Sequence, residues 1–174
     1  MKSWIRAISV ATLLALGAGP GQATPLKIVA LGASNTEGWG VGSPNAFPAK
    51  LQEILRRKGI DARVTNAGVF ANTTLAMLHR LDRDIPPGTN IVILQPGTND
   101  RRFRFTDEQR AANIAEIVSR LHRRGIYVIV FDPPIPRAWL QLDGVHFTMA
   151  AHAKIAATLA AKVLHAREDG CRSC

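Results

Sequence analysis

The chain has 174 residues, of which 47% are hydrophobic and 20% are charged, and its net charge is +9 at pH 7 with histidines neutral. This length is enough for one domain with a buried core, and the composition excludes disordered, collagen-like and integral membrane proteins. The basic residues are scattered over helical segments and form neither an aromatic-interleaved strand nor a finger pattern. We therefore expect no nucleic-acid partner.

The amino terminus has the pattern of an export signal. Lys2 and Arg6 precede a short apolar run, and small residues follow that run. The run is shorter than the roughly 20 residues that a membrane-spanning helix needs. We predict that residues 1–23 are a signal peptide cleaved after Ala23, that residues 24–174 form one hydrolase domain without an integral membrane segment, and that this domain is periplasmic or secreted.

The chain has two cysteines, Cys171 and Cys174, and both lie in a polar carboxy-terminal tail. A C-x-x-C pair can be a redox centre or half of a metal site, but no second ligand pair accompanies this one. We expect a local disulfide, which an exported protein can form, or two thiols without a function. The histidines lack zincin spacing and no EF-hand pattern occurs, so we expect no metal and no cofactor.

Strand-like and helix-like segments alternate along the chain. Short apolar, β-branched runs predict strands over residues 26–31, 62–65, 90–94 and 126–131. Helical periodicity and capping signals predict helices over residues 47–58, 73–84, 106–125 and 148–165. Uniformly apolar strands that alternate with helices are typical of a buried parallel sheet. The predicted fold class is therefore α/β, with helices on both faces of a parallel sheet.

Polar residues with the chemistry of acyl transfer follow the predicted strands. Ser34 follows the first strand, Asn99 follows the third, and Asp143 and His146 lie in the loop after the fourth. In open parallel sheets the ligand lies outside the carboxyl ends of the strands, so these side chains are expected to meet. His146 could take the proton of Ser34, Asp143 could hold the imidazole, and Asn99 could donate to an oxyanion.

Four short blocks resemble those of the SGNH (GDSL-type) serine esterase family. They are Gly-Ala-Ser at residues 32–34, Asn66, Gly-Thr-Asn-Asp at residues 97–100, and Asp143-x-x-His146. The blocks occur in the family's order and span nearly all of the predicted mature chain. The resemblance implies a flavodoxin-like three-layer α/β/α sandwich and a metal-free esterase, similar to the lysophospholipase and thioesterase members of the family.

The resemblance also assigns roles to individual residues. It makes Ser34 the nucleophile and the first oxyanion donor, and Asn99 the oxyanion amide. Asp143 and His146 complete the catalytic triad. Taken alone, Ser34 reads as a helix N-cap and the Asp143 segment as a turn, but the companion blocks favour catalysis.

The sequence departs from the family pattern at two positions. Ala33 replaces the aspartate before the nucleophile, and Ala71 replaces the oxyanion glycine. An alanine still offers an N–H, provided that the backbone there does not need a positive φ. We predict that Ala71 is the second oxyanion donor, with Gly68 as the alternative.

The sequence predicts an exported serine esterase that hydrolyses small to medium acyl esters of an arylesterase, lysophospholipase or thioesterase type. A carbohydrate O-acetylesterase would use the same residues. A non-catalytic binding module on the same fold is the other alternative, and it is the one that Ala33 and Ala71 favour.

Three arginines follow the Asn99 block, namely Arg101, Arg102 and Arg104. They either are solvated or favour anionic substrates. His152 lies on the apolar stripe of the last helix, which favours packing over catalysis. The oligomeric state is left open.

Overall fold

The computed structural model describes residues 24–168, which form one four-stranded parallel sheet. The strands are β1 (Leu26–Gly32), β2 (Ala62–Gly68), β3 (Ile91–Gln95) and β4 (Tyr127–Val130). Their order across the sheet is β2-β1-β3-β4, and every neighbouring pair is parallel. The predicted signal peptide and the two cysteines lie outside the described residues.

Seven α-helices connect or flank the strands in this part of the chain. They are α1 (Ser34–Glu37), α2 (Phe47–Arg57), α3 (Thr74–His79), α4 (Leu81–Asp84), α5 (Asn99–Arg102), α6 (Asp107–Arg123) and α7 (Met149–Glu168). The predicted capping box at Thr106 is present, with the side chain of Gln109 completing it. Thr148 accepts a hydrogen bond from the Ala151 N–H and so caps α7.

Helices cover both faces of the sheet, which confirms the predicted three-layer arrangement. Successive residues of a strand point to opposite faces, so Ile28 and Val29 of β1 enter different cores. Ile28 packs in the cluster that contains the buried residues of α2 and α7. Val29 packs in the cluster that contains the buried residues of α3, α4 and α6. The sheet thus lies between the two clusters, and its carboxyl edge faces the loops that follow the strands.

Three elements differ from the sequence-based expectation. β2 extends to Gly68 because it pairs with β1 along its whole length. The helix predicted over residues 73–84 is divided at Arg80, which has a ψ of 7° and directs its guanidinium toward the strand ends. In β4, Tyr127 and Val130 are exposed because β4 is an edge strand.

No helix within residues 24–168 is both long enough and apolar enough to span a bilayer.

Candidate active site

Ser34, His146 and Asp143 form a hydrogen-bonded chain at the carboxyl edge of the sheet. His146 Nε2 lies 3.1 Å from Ser34 Oγ, and His146 Nδ1 lies 2.5 Å from Asp143 Oδ2. Ser34 is placed there by β1, which ends at Gly32, and by α1, which begins at Ser34 itself. The structure therefore brings together the three residues that the sequence predicted as the triad.

The Asp143 carboxylate is held by its own loop. Its Oδ1 accepts hydrogen bonds from the N–H groups of Val145 and His146, at 2.9 and 3.0 Å. The main-chain and ring N–H groups of His146, together with the Val145 N–H, hold the pKa of Asp143 well below its usual range. The residue therefore stays ionised and can stabilise an imidazolium at His146.

Two amide side chains that the sequence analysis missed fix the position of the histidine loop, which is the segment of residues 143–147 that carries His146. Asn35 donates from Nδ2 to the Val145 carbonyl at 3.1 Å, and its side-chain oxygen accepts from the Phe147 N–H at 2.8 Å. It therefore holds the chain on both sides of His146. Gln141 donates from its side chain to the Phe147 carbonyl at 2.9 Å. The available signal was that Asn35 directly follows the nucleophile, but its partners lie far away in the sequence.

Each of the predicted oxyanion donors Ser34, Ala71 and Asn99 keeps an N–H hydrogen that no acceptor among the described residues occupies. Ser34 is the first residue of α1, so its N–H has no partner within the helix. Among the described residues, no acceptor is bonded to the Ala71 N–H. The Asn99 side chain donates one Nδ2 hydrogen to the Asn72 carbonyl at 2.9 Å, which leaves the second hydrogen for a substrate oxygen.

Ala71 occupies the left-handed region, with a φ of 56°. The backbone at this position therefore does need a positive φ, contrary to the condition under which an alanine would be unstrained. Ala71 carries the strain that a glycine would avoid. Its N–H is nevertheless present, since the strain acts on the Cβ atom and not on the donor.

Gly68 is engaged elsewhere, which corrects its place as the alternative oxyanion donor. Its N–H donates to the Asn66 side chain at 2.9 Å. A Cβ at this position would lie 2.1 Å from the Glu37 nitrogen, so Gly68 is required because α1 passes directly against the end of β2.

Ala33 is buried in the core cluster that contains Leu31 and Met77. Its methyl group also faces Gly97, where an added Cβ would come into van der Waals contact with it at 3.8 Å. The side chain before the nucleophile therefore serves packing in this chain and has no polar contact to offer Ser34.

A cleft of about 580 Å³ lies between the ends of β3 and β4 and the histidine loop. It is lined by Asn35, Gly144 and Val145, which are sequence neighbours of the triad residues, but by none of the triad residues themselves. Its lining includes Arg101, Arg110 and Asp132. Arg110 is paired with Asp132 at 2.7 Å, and Arg101 is paired with Asp107 at 3.1 Å. Both guanidinium groups in the cleft wall thus have carboxylate partners.

An aromatic pair lies beside His146. The Trp39 ring centroid lies 4.5 Å from that of Phe70 and 5.8 Å from that of His146. Both aromatic residues are 48% exposed. An apolar surface therefore adjoins the group that would protonate a leaving alcohol.

His152 lies in the core, as the sequence predicted, and not in the triad. Its Nδ1 accepts a hydrogen bond from the Phe47 N–H at 3.1 Å, and its ring packs against Phe47 and Phe147. Burial lowers its pKa to about 4, so the ring is neutral near neutral pH.

Within the described residues, no group of three or more His, Cys, Asp or Glu side chains is arranged to hold a metal ion.

Comparisons with known proteins point to one family. Residues 30–167 match the family model described as the GDSL-like Lipase/Acylhydrolase family. The chain is 26% identical over 133 residues to an arylesterase of Vibrio mimicus. It is 27% identical over 135 residues to the esterase TesA of Pseudomonas aeruginosa. Each alignment covers 76% of this chain and 66% of the relative, so the chain spans just under two thirds of the length of these curated relatives.

A solved structure shares the fold. The psychrotrophic esterase EstA from Pseudoalteromonas sp., in a structure inhibited by monoethylphosphonate, superimposes with a TM-score of 0.71 at 16% identity. The superposition covers 80% of this chain and 97% of that chain. At this identity the likeness concerns the three-layer architecture alone.

Proposed function

This chain belongs to the GDSL-like lipase/acylhydrolase family, and on that premise we propose that it is a serine esterase, a carboxylic ester hydrolase that works through an acyl-Ser34 intermediate. One observation carries the proposal. His146 Nε2 lies 3.1 Å from Ser34 Oγ while its Nδ1 is bonded to the Asp143 carboxylate. This is the arrangement in which a base activates a hydroxyl nucleophile.

In the first half of the reaction Ser34 becomes acylated. His146 removes the Oγ proton as Oγ attacks the ester carbonyl carbon, and Asp143 stabilises the imidazolium that forms. The N–H groups of Ser34 and Ala71 and the Asn99 amide donate to the tetrahedral oxyanion. The intermediate then collapses, the bond between carbon and the leaving oxygen breaks, and His146 returns its proton to that oxygen.

In the second half, water releases the acyl group. His146 takes a proton from a water molecule, whose oxygen attacks the acyl carbon, and the same donors hold the second oxyanion. When this intermediate collapses, the bond from the acyl carbon to Ser34 Oγ breaks and His146 protonates Oγ. The products are a carboxylic acid and the regenerated enzyme.

We further propose neutral esters of small to medium acyl chains as the substrates. The cleft of about 580 Å³ is in the range of small-molecule sites. The two arginines in its wall are paired with carboxylates, so they offer little unpaired charge to an anionic substrate. The exposed Trp39 and Phe70 rings beside His146 favour an apolar or aromatic leaving group.

A carbohydrate O-acetylesterase is the second candidate. The observation that favours it is the same Trp39 and Phe70 surface, since exposed aromatic faces can also pack against the apolar face of a sugar ring. It would use the same triad and the same donors, and it differs only in which alcohol the rings contact.

The proposed activity is tested by hydrolysis of p-nitrophenyl esters from acetate to dodecanoate. The protein begins at Thr24, and the Ser34→Ala variant is the control. We expect hydrolysis by the wild type that is lost in Ser34→Ala, with a chain-length profile that falls toward dodecanoate. Equal rates for both folded proteins on every ester would contradict the simple-ester proposal. Release of acetate from acetylated polysaccharide by the wild type alone would then support the second candidate.

We also propose that the protein is exported from the cytoplasm. The support is the sequence pattern of residues 1–23, which combines two basic residues with a short apolar run and small residues near Ala23. Expression of the full chain, followed by cell fractionation and amino-terminal sequencing, tests this. We expect a product that begins at Thr24 outside the cytoplasm, and full-length protein confined to the cytoplasm would contradict the proposal.

A further inference from the structure

Arg80 is a buried cation whose guanidinium lies at the carboxyl ends of β1 and β2. Its side chain is 7% exposed. One terminal nitrogen, Nη2, donates to the Gly32 carbonyl at 2.8 Å and to the Ala67 carbonyl at 3.0 Å. It therefore ties the last residue of β1 to the end of β2.

The same guanidinium also reaches the loop that carries Ala71. Nε of Arg80 donates to the Asn72 side-chain oxygen at 2.7 Å. The main-chain carbonyl of Asn72 in turn accepts the hydrogen bond from the Asn99 side chain at 2.9 Å. Two successive contacts thus connect Arg80 to the amide that is proposed to bind the oxyanion.

These contacts reach every segment that supplies an oxyanion donor. Gly32 lies two residues before Ser34, Asn72 directly follows Ala71, and the Asn72 carbonyl orients Asn99. A planar guanidinium with five N–H donors in a fixed fork can hold such divergent acceptors at once, whereas a lysine ammonium is a single point charge on a flexible stem.

The positive charge of Arg80 is compensated on the side away from these loops. Nη1 bonds to Asp84, which lies four residues later at the end of α4. Burial opposes ionisation of Asp84, but hydrogen bonds from Arg83 and Arg80 outweigh it and hold the pKa of Asp84 below its ordinary value. The buried cation is therefore paired, as a buried charge must be to avoid a large desolvation cost.

We propose that Arg80 is a positioning residue that fixes the three oxyanion donors relative to one another, a role that rests on the proposed serine esterase function. Arg80 contacts no reacting atom. It acts by holding Gly32, Ala67 and Asn72 in one arrangement, so that the donors stand ready before charge develops on the substrate. The division of the helix at Arg80 is the local feature that lets the side chain reach back to the strands.

The first test is Arg80→Lys with p-nitrophenyl acetate or butyrate. A displacement of about 1 Å in a catalytic constellation costs about 100-fold in rate, so we expect kcat to fall by roughly 10- to 100-fold and KM to change by less than about threefold, because the oxyanion forms only after binding. Arg124→Lys is the matched control. Arg124 is a partly buried arginine that, like Arg80, donates to a main-chain carbonyl, in this case that of Ile85, but it lies near the amino ends of the strands. We expect Arg124→Lys to keep the wild-type kcat.

A double-mutant cycle with Asn99→Ala separates positioning from a general structural role. Once Asn99 has been removed, Arg80 can no longer act through it, so the kcat effect of Arg80→Lys should shrink by about tenfold in that background. Full additivity of the two variants, or a kcat for Arg80→Lys within twofold of the wild type, would overturn the proposal.

Asn72→Ala keeps the test decisive if Arg80→Lys does not fold. This variant removes only the acceptor of the Arg80 Nε and keeps the contacts to Gly32 and Ala67. We expect a fall in kcat of about tenfold with little change in KM, again non-additive with Asn99→Ala. Folded Asn72→Ala with unchanged kcat would overturn the assignment. Activity that persists in Ser34→Ala would instead contradict the proposed esterase mechanism, whatever Arg80 does.

Discussion

The Asp143 carboxylate and the His146 ring form a unit within a four-residue turn. His146 Nδ1 lies 2.5 Å from Asp143 Oδ2, and Asp143 Oδ1 accepts the His146 N–H at 3.0 Å. One carboxylate thus orients both the main chain and the ring of the proposed base. The unit is local in sequence, since its two residues lie three positions apart.

Replacing Asp143 by asparagine tests this relationship. Asparagine cannot stabilise the imidazolium and can present an N–H to His146 Nδ1, which favours the wrong tautomer. We expect kcat for p-nitrophenyl butyrate to fall by about 10³- to 10⁴-fold in the folded variant. Asp82→Asn removes an exposed carboxylate far from the site and should retain the wild-type rate. A loss of less than tenfold in Asp143→Asn would contradict the triad.

Asn35 should matter to catalysis because it holds the chain on both sides of His146. Asn35→Ala removes its bonds to Val145 and Phe147, and the looser loop should lower kcat by roughly 10- to 100-fold. Asn45→Ala is the control, since Asn45 also donates from its side chain to a main-chain carbonyl, that of Val41, but has no contact with the histidine loop. A similar kcat for the two variants would show that the hydrogen bonds of Asn35 to the histidine loop are not needed for catalysis.

Ala71 should tolerate glycine and reject valine. Glycine relieves the left-handed strain at φ 56°, worth about 1 kcal/mol, but loses part of this gain through its freer unfolded chain. We expect Ala71→Gly to be as stable as the wild type or up to about 1 kcal/mol more stable, with kcat within about threefold, since the N–H remains. Ala71→Val should lower the free energy of unfolding because a β-branched side chain fits this region poorly. Urea unfolding and ester hydrolysis measure both; a less stable glycine variant would contradict the interpretation.

His152 should make stability depend on pH below neutrality. Its pKa is about 4 in the folded protein and about 6.5 when unfolded. The unfolded chain therefore binds the proton first, so the stabilising contribution is complete above pH 6.5 and is lost as the pH falls from there to about 4. The loss should reach roughly 3 kcal/mol at most.

The measurement for His152 is urea unfolding across that pH interval in His152→Gln and the wild type. Carboxylates titrate in both proteins, so the difference between the two curves isolates the histidine. We expect the wild type to lose more stability than His152→Gln as the pH falls. His122→Gln, which changes an exposed histidine, should follow the wild-type curve. Parallel curves for His152→Gln and the wild type would contradict the expected shift.

The sequence predicted most of the secondary structure because those signals are local. The apolar runs of β1 and β3, the capping box at Thr106 and the Thr148 cap each depend on residues only a few positions apart. The four spaced blocks also predicted the family, and the match over residues 30–167 confirms it. The proposed catalytic roles of the block residues stay predictions until variants are assayed.

The sequence alone thus determined the α/β class, the family and the candidate residues Ser34, Asp143 and His146. The tertiary structure decided what supports them. His146 meets Ser34 across 112 positions, and Arg80 meets Gly32 across 48. The backbone angle at Ala71 and the occupied N–H of Gly68 likewise depend on how β2 and α1 pack together. Such contacts leave no periodic pattern in the chain, because they form only when distant segments are brought to one edge of the sheet.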